Sequence, residues 1–330
     1  MPTDDLLASA ESAESAAGRT VTARTFLGWE VQLLPDRGLD IGAAHLGGLP
    51  VSWFSPVRDR RPLPAPRGEQ WLERFTGGLL TTCGLRGFGP AQGDRGLHGD
   101  IGHRPSGQVA VTRAVTADRA TLELRAEVLD ARVFDATLLL SRTVRLESSA
   151  DGPPAVTVED VLTNLGPVCV DIGVLYHLNL GAPFLVPGAR IEVDAAEPPA
   201  ARAPDASIDP AVFPEPRDGL DEHVVEWRGL AQSEGVAHAR VHGGHGIRLD
   251  VSWSADTLPV LGQWMFPARG RWALGIEPAT SSLLDGTAPM PRLDAGASRR
   301  HRVRIEGRLP LPGRSAPGRP EPVTEKENQR

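Results

Sequence analysis

The chain has 330 residues, 40% of them hydrophobic and 23% charged, with a formal net charge of −7, the balance of an ordinary soluble globular protein. No apolar run approaches the roughly 18 residues needed to cross a bilayer. The acidic sum, without a concentrated basic stripe, excludes nucleic acid as the main partner, and the single lysine, Lys326 near the C-terminus, excludes Schiff-base, pyridoxal-phosphate and P-loop lysine chemistry.

The opening residues, "MPTDDLLASAESAESAAG", are acidic and carry neither the basic start nor the apolar stretch of a secretory signal. They read as a flexible segment over 1–18, and a cytoplasmic location is the expectation. Thirty-six glycines and thirty prolines then punctuate the chain, with short runs rich in Val, Leu, Thr and Arg between them, the texture of an all-β protein. In the first hairpin, "WEVQLLPDRGLDIG", Arg37 and Asp40 are unexpectedly charged: either they hold the hairpin as a pair or they face a ligand.

Downstream, "ERFTGGLLTTCGL" leads into the glycine-studded "GLHGDIGH". His98, Asp100 and His103 offer three metal-ligating groups there. A glycine-rich loop fixes no coordination geometry, however, and no second ligand cluster stands at a matching spacing. No metal is expected, and His98 reads as a hydrogen-bonding or proton-transfer residue. Cys83 and Cys169, the two cysteines, lie in core-like β segments and read as reduced packing residues.

The clearest strand run spans residues 108–166. In "TLELRAEV", Leu122, Leu124, Ala126 and Val128 alternate with Thr121, Glu123, Arg125 and Glu127, a period of two that puts one face in a core and the other in solvent. Turn signals such as "TADR" and "SADGPP" separate the runs at hairpin distances, which predicts an antiparallel meander. Strand-like segments continue through "CVDIGVLYHLNLG", "GVAHARVHG", "GIRLDVSWS", "LPVLGQWMF", "RWALGIEPA" and "SRRHRVRIEGRL". Residues 197–209 are too proline-rich for a strand and predict a long surface connection. The polar stretch 312–330 predicts a disordered tail, so the reading is one domain over 19–311, a large antiparallel β-sandwich.

Two ionisable residues sit among apolar neighbours, which is costly unless they are partnered or used. In "VLYHLNLG", alternation places Val174, Tyr176, Leu178 and Leu180 on one face and Leu175, His177 and Asn179 on the other. His177 is either a core histidine satisfied by a backbone carbonyl or a reactive group. In "WALGIEPA", Glu277 is either a paired structural carboxyl or a general base raised in pKa by desolvation.

The ordered set "RGLDIG", "GGLLTTCGL", "LHG", "YHLNLG", "QW" and "LGIEPA" resembles a bacterial branch of the aldose 1-epimerase, or galactose mutarotase, superfamily. The resemblance implies a β-supersandwich with a sugar cleft on one sheet and cofactor-free interconversion of the anomers of a sugar or sugar derivative. It implies Glu277 as the base for the anomeric hydroxyl, His177 as the acid for the ring oxygen, and His98 as a second histidine on the sugar. Arg74 is the candidate for a sugar-hydroxyl arginine, and Asn179, beside His177, for a further contact. Trp264 either stacks on a pyranose face or packs in the core, and Gln263 is a candidate hydroxyl ligand.

The chain departs from the family pattern in two ways. Tyr176 precedes His177 and Leu178 follows it, and the usual site aspartate has no clear counterpart, although Asp218 and Asp221 lie in the right part of the chain. Arg37 or Asp40 is the candidate to replace part of that sugar-binding set. The rival reading is a carbohydrate-binding protein with the same cleft and no turnover. A hydrolase or lyase is a third, disfavoured because no second acid carboxylate evidently faces Glu277. The partner expected is a small sugar, not nucleic acid or membrane, and the sequence leaves the oligomeric state open.

Overall fold

Period-two runs bounded by turn residues form two large antiparallel sheets stacked face to face in the computed structural model, which describes residues 7–26, 28–203, 207–219 and 222–310. Among these residues one sheet has eleven strands and the other nine. The first, here the cleft sheet, runs in the order Ala8–Ser15, Gly18–Thr25, Trp29–Leu34, Asp40–Leu46, Leu80–Leu85, Gly173–Gly181, Ala273–Ala279, Val260–Phe266, His223–Trp227 and Ala200–Ala201, with the short Leu49–Pro50 strand paired off this path to Asp40–Leu46. The second, the back sheet, is centred on Ser298–Arg308, Ala155–Asn164, Thr137–Ser149 and Arg119–Ala131. Short 3-10 turns, including Pro35–Arg37, Gln70–Arg74 and Ile101–His103, punctuate the strands. Among the described residues no helix is long and apolar enough to cross a membrane.

The meander over 108–166 forms as its alternation predicts. Leu122, Leu124, Ala126 and Val128 are buried and their neighbours face outward. They meet Val31, Ile41, Tyr176 and Ile276 of the cleft sheet in one continuous core, where a buried aliphatic side chain contributes about 1.5–3 kcal/mol. The segment read as flexible over 1–18 differs. Ala8–Ser15 is a strand that pairs residue for residue with Gly18–Thr25 and tucks Ala8 into the core. Backbone pairing to an existing edge orders a run that has little side-chain hydrophobicity of its own. The tail read over 312–330 lies outside the described residues. Within the predicted connection 197–209, Ala200–Ala201 adds a two-residue edge strand against His223–Trp227. Cys83 and Cys169 are both free thiols.

One polar cluster crosses the core. Arg142 of the back sheet is fully buried and spends all five N–H groups: Nε and Nη2 on Asp160 at 2.9 and 2.7 Å, Nη1 on Asp40 Oδ1 at 2.9 Å and the Gly38 carbonyl at 3.0 Å, and Nη2 also on Thr82 Oγ1 at 2.8 Å. Tyr176 donates its hydroxyl to Asp160 at 2.6 Å. Asp40 and Thr82 belong to the cleft sheet, Arg142 and Asp160 to the back sheet, so the cluster ties the two layers together. Asp40 therefore neither pairs off with Arg37 within its hairpin nor faces a ligand. Its carboxylate points into the sandwich, where burial pushes its pKa up against the pull of Arg142.

Candidate active site

The outer face of the cleft sheet carries His177 and Glu277. In the Gly173–Gly181 strand, Val174, Tyr176, Leu178 and Leu180 enter the inter-sheet core as alternation predicts, while Leu175, His177 and Asn179 take the opposite face. In the adjacent Ala273–Ala279 strand, Leu274 and Ile276 point inward, which turns Glu277 outward. The pairs Leu175↔Ala279 and Leu178↔Ile276 bracket the two residues and set them opposite one another. Across the next strands Thr81 faces His177, Gly262 faces Glu277 and Glu226 faces Gly262, so one cross-strand row reads Thr81, His177, Glu277, Gly262, Glu226. Antiparallel neighbours in such a row stand about 5 Å apart, close enough to bring together residues a hundred positions apart in the chain.

His177 Nε2 lies 3.2 Å from Glu277 Oε1, and both residues are nearly inaccessible, at 6% and 3% exposure. Burial raises the Glu277 carboxyl to about 8, helped by the negative charge of Glu222 and opposed by Arg202. Burial also lowers His177 to about 3, with His98 adding to the effect. At neutral pH the pair therefore holds one proton, on Glu277, beside a neutral imidazole. Glu277 Oε1 and His177 Nδ1 are buried without a hydrogen-bond partner, so both groups retain unspent bonding capacity.

Two glycines make room for the carboxylate. A Cβ on Gly275 would sit 2.3 Å from Glu277 Oε1 and 2.9 Å from the Trp264 Cβ, and one on Gly262 would sit 3.3 Å from Glu277 Oε2. Gly275→Ala is accordingly expected to leave the β-sandwich intact, cost about 1–3 kcal/mol of stability through overpacking, and drive the Glu277 carboxylate off its position. A crystal structure of the variant with Glu277 Oε1 still 3.2 Å from His177 would contradict this.

Above the pair opens a cleft of about 950 Å3, at the upper end of the range for small-molecule sites. Its walls are aromatic. Trp71 and Phe75 stack at 4.2 Å, Phe75 and Trp264 stand 5.4 and 5.5 Å from the His177 ring, and Trp53 meets Trp264 edge-on at 5.5 Å. Both the Trp53 and the Trp264 indole N–H are committed, to the Arg271 carbonyl and to Glu222 Oε2 respectively, so these rings offer their faces rather than a donor. His98, held at a positive φ of 57°, packs 4.7 Å from Trp71 and 6.2 Å from His177. Burial lowers its pKa to about 4, aided by Arg202 and Arg95, and its Nδ1 lacks a partner. Arg202 pairs with Glu222 at 2.7 Å on the cleft wall.

The structure thus gathers Glu277, His177, His98 and Trp264 in one cleft. Asn179 shares the outward face but is fully covered. Its Nδ2 donates to the Gly78 and His177 carbonyls at 3.0 and 2.9 Å, which makes it a brace under His177. Gln263 is corrected outright: it points to the inner side, accepting from Trp227 Nε1 and donating to the Pro210 carbonyl. Period-two alternation alone forbids Gln263 and Trp264 from sharing a face. Arg74 lies in the 3-10 turn Gln70–Arg74, not in a strand, and turns 3.5 Å from Asp59, away from the cleft lining. Arg37 is buried and donates to the Arg60 carbonyl.

In the "GLHGDIGH" loop the three histidine and aspartate side chains part company. His98 enters the cleft, Asp100 pairs with Arg104 and Arg132, and His103 Nδ1 accepts from the Leu63 N–H. Of the two aspartates weighed as site acids, Asp218 pairs with Arg269 at the surface and Asp221 lies outside the described residues. Their neighbour Glu222 does line the cleft. Trp53, Trp71, Phe75, Arg202 and Glu222 were not legible as site residues. Only the i, i+4 spacing of Trp71 and Phe75 in "QWLERF" hinted at a shared surface.

A family model described as a domain of unknown function (DUF4432) matches residues 15–306. No curated protein matches the chain in sequence. Among solved structures, the chain is similar to a protein from Klebsiella pneumoniae described as a "putative aldose 1-epimerase". The two share 23% identity and a TM-score of 0.78, over 90% of this chain and 82% of that one. It is also similar to a galactose mutarotase-like protein from Clostridium acetobutylicum, with 13% identity and a TM-score of 0.60 over 92% and 99% of the chains. A galactose 1-epimerase from Lactobacillus acidophilus gives 11% identity and a TM-score of 0.53 over 91% and 99%. These likenesses establish a galactose mutarotase-like fold.

Proposed function

The chain belongs to the DUF4432 family, and from its mutarotase-like fold and its opposed His177–Glu277 pair we propose that it is an aldose 1-epimerase-like isomerase acting on a small sugar or sugar derivative. The observation that carries the reading is the 3.2 Å contact between Glu277 and His177 at the floor of an aromatic cleft. Ring opening removes the anomeric hydroxyl proton and delivers one to the ring oxygen. The carbon–oxygen bond breaks to an open aldehyde, rotation about the adjacent bond exposes its other face, and the reverse proton movements close the ring.

A pair holding one proton does both jobs. With Glu277 ionised and His177 protonated, opening moves one proton to Glu277 and one from His177, leaving a neutral acid beside a neutral imidazole. That is the protonation the resting protein favours, so the site in its resting form suits the open aldehyde. For the closed ring, the sugar and the nearby charges, Arg202 among them, must favour the ionised form of the same pair. His98 stands next to the reacting centre as a hydrogen-bonding group, and Trp264, Phe75 and Trp71 offer faces for the C–H side of a pyranose.

The experiment is polarimetry or NMR on freshly dissolved pure anomers from a panel of neutral, acidic and phosphorylated sugars. Acceleration of anomer relaxation supports the proposal. Relaxation at the buffer rate for every sugar, with saturable binding by calorimetry, would instead identify a carbohydrate-binding protein using the same cleft. The pH profile provides a second check. The one-proton state exists between the two pKa values, about 3 for His177 and about 8 for Glu277, so the rate is expected to be bell-shaped. It falls above pH 8 as the proton leaves the pair and falls toward pH 3 as a second proton joins. A rate still rising between pH 8 and 10 would be incompatible with this pair.

A further inference from the structure

Glu226 is a buried carboxylate on the cleft sheet that the proposed chemistry does not use, at 1% exposure and two places along the cross-strand row from Glu277. Its Oε2 accepts the N–H of Leu283 at 2.6 Å, the N–H of Leu284 at 3.3 Å and the Ser282 hydroxyl at 2.8 Å. Its Oε1 accepts from Arg228 Nε at 2.5 Å, and Arg228 Nη2 in turn donates to Ser282 at 3.0 Å. Burial alone would raise this carboxyl, but Arg228, Ser282 and the two backbone N–H groups hold it below its ordinary value. It is thus an ionised anchor into which the turn after the Ala273–Ala279 strand is fastened.

That turn carries Leu283, and Leu283 lands in a defined place. The empty Cβ position of Gly262 is 2.5 Å from Leu283 Cδ2, 3.3 Å from Glu277 Cβ and 3.3 Å from Glu277 Oε2. The leucine methyl and the Glu277 carboxylate therefore share the gap left by one glycine, whose strand is flanked by the two that carry Glu277 and Glu226. Leu283 is itself a cleft-lining residue. We propose that Glu226 is a positioning residue that fastens the 282–284 turn so that Leu283 caps the Glu277 carboxylate and keeps water from it. Its catalytic meaning, though not the capping itself, rests on Glu277 being the reacting carboxylate. It adds that the dryness of that carboxylate is set by a second glutamate that touches no substrate.

The test reads Glu277 directly, without substrate, so that it is separable from the proposed activity. Carboxyl 13C NMR on glutamate-labelled full-length protein, with Glu277→Gln to identify the resonance, gives the Glu277 titration midpoint, expected near 8 in the unaltered chain. Leu283→Ala removes the cap, and Glu226→Gln removes the anchoring charge; each is expected to lower the midpoint by about one to two pH units as water reaches the carboxylate. Ser282→Ala, which loses one of the anchoring hydrogen bonds, shifts it in the same direction by less and serves if Glu226→Gln does not fold. A midpoint unmoved by Leu283→Ala overturns the capping role. A midpoint moved by Leu283→Ala but by neither Glu226→Gln nor Ser282→Ala overturns the part assigned to Glu226. Shifts as expected in a protein that accelerates no anomer exchange would leave the inference standing and remove the isomerase reading.

Discussion

Replacing Glu277 by glutamine is expected to lower the anomer-exchange rate at neutral pH by about 10³-fold or more, to the rate of the buffer, while the protein remains folded. General acid–base contributions run about 10²- to 10⁴-fold for each positioned group, and glutamine keeps the shape of the carboxyl while losing the proton. Glu222, an acid of the cleft wall, is committed to Arg202 and to the Trp264 indole, and Cys83, buried on the same face of the sheet, is pushed well up in pKa by burial and by Glu277 itself. His177→Gln is expected to cost a comparable factor, and the double variant little more than either single one, because the two groups act as one proton-holding unit. Circular dichroism and the relaxation rate of a pure anomer decide the matter. A Glu277→Gln protein retaining a tenth of the rate would rule the carboxyl out as the proton carrier.

Arg142→Met is expected to destabilise the fold by about 3–5 kcal/mol at pH 7, the range for removing one partner of a buried ion cluster. Arg142 has no exposed surface and, among the described residues, is the sole guanidinium bonded to the buried carboxylates Asp40 and Asp160. Without it, two strands from opposite sheets are left holding carboxylates against each other in a dry core. The loss should shrink as the pH falls, since protonating Asp40, whose carboxyl burial already raises in pKa, relieves the repulsion that the missing arginine used to offset. Urea unfolding of the variant and the parent at pH 7 and pH 4.5 measures both effects; a difference under 1 kcal/mol at pH 7 would show that the cluster does not clamp the sheets. Anomer exchange should survive wherever the variant is folded, because the cluster lies on the opposite face of the cleft sheet from His177.

Much of this molecule is written locally. A strand half buried in a sandwich shows its inward face every second residue, and that rule assigned the meander over 108–166, the inward set Val174, Tyr176, Leu178 and Leu180, and the outward placement of His177. A carboxylate in the apolar run "WALGIEPA" likewise announced itself as paired, protonated or used. The same rule separates Gln263 from Trp264, for they are neighbours and only one of them can face the cleft. What alternation cannot supply is which strand lies beside which, in what register and against what opposite layer. The pairing of Glu277 with His177, the crossing of Arg142 to Asp40, and the arrival of Arg202, Glu222 and Trp71 on the cleft wall all depend on contacts between residues far apart in the chain. Such contacts are fixed by the packing of the whole sandwich and by long connections whose sequence has no period. So the sequence by itself determined the all-β class, the face on which His177 lies and the chemistry that His177 and Glu277 offer. Only the tertiary structure decided which of them meet, because register and layer stacking are set by the sum of the packing and by no single strand.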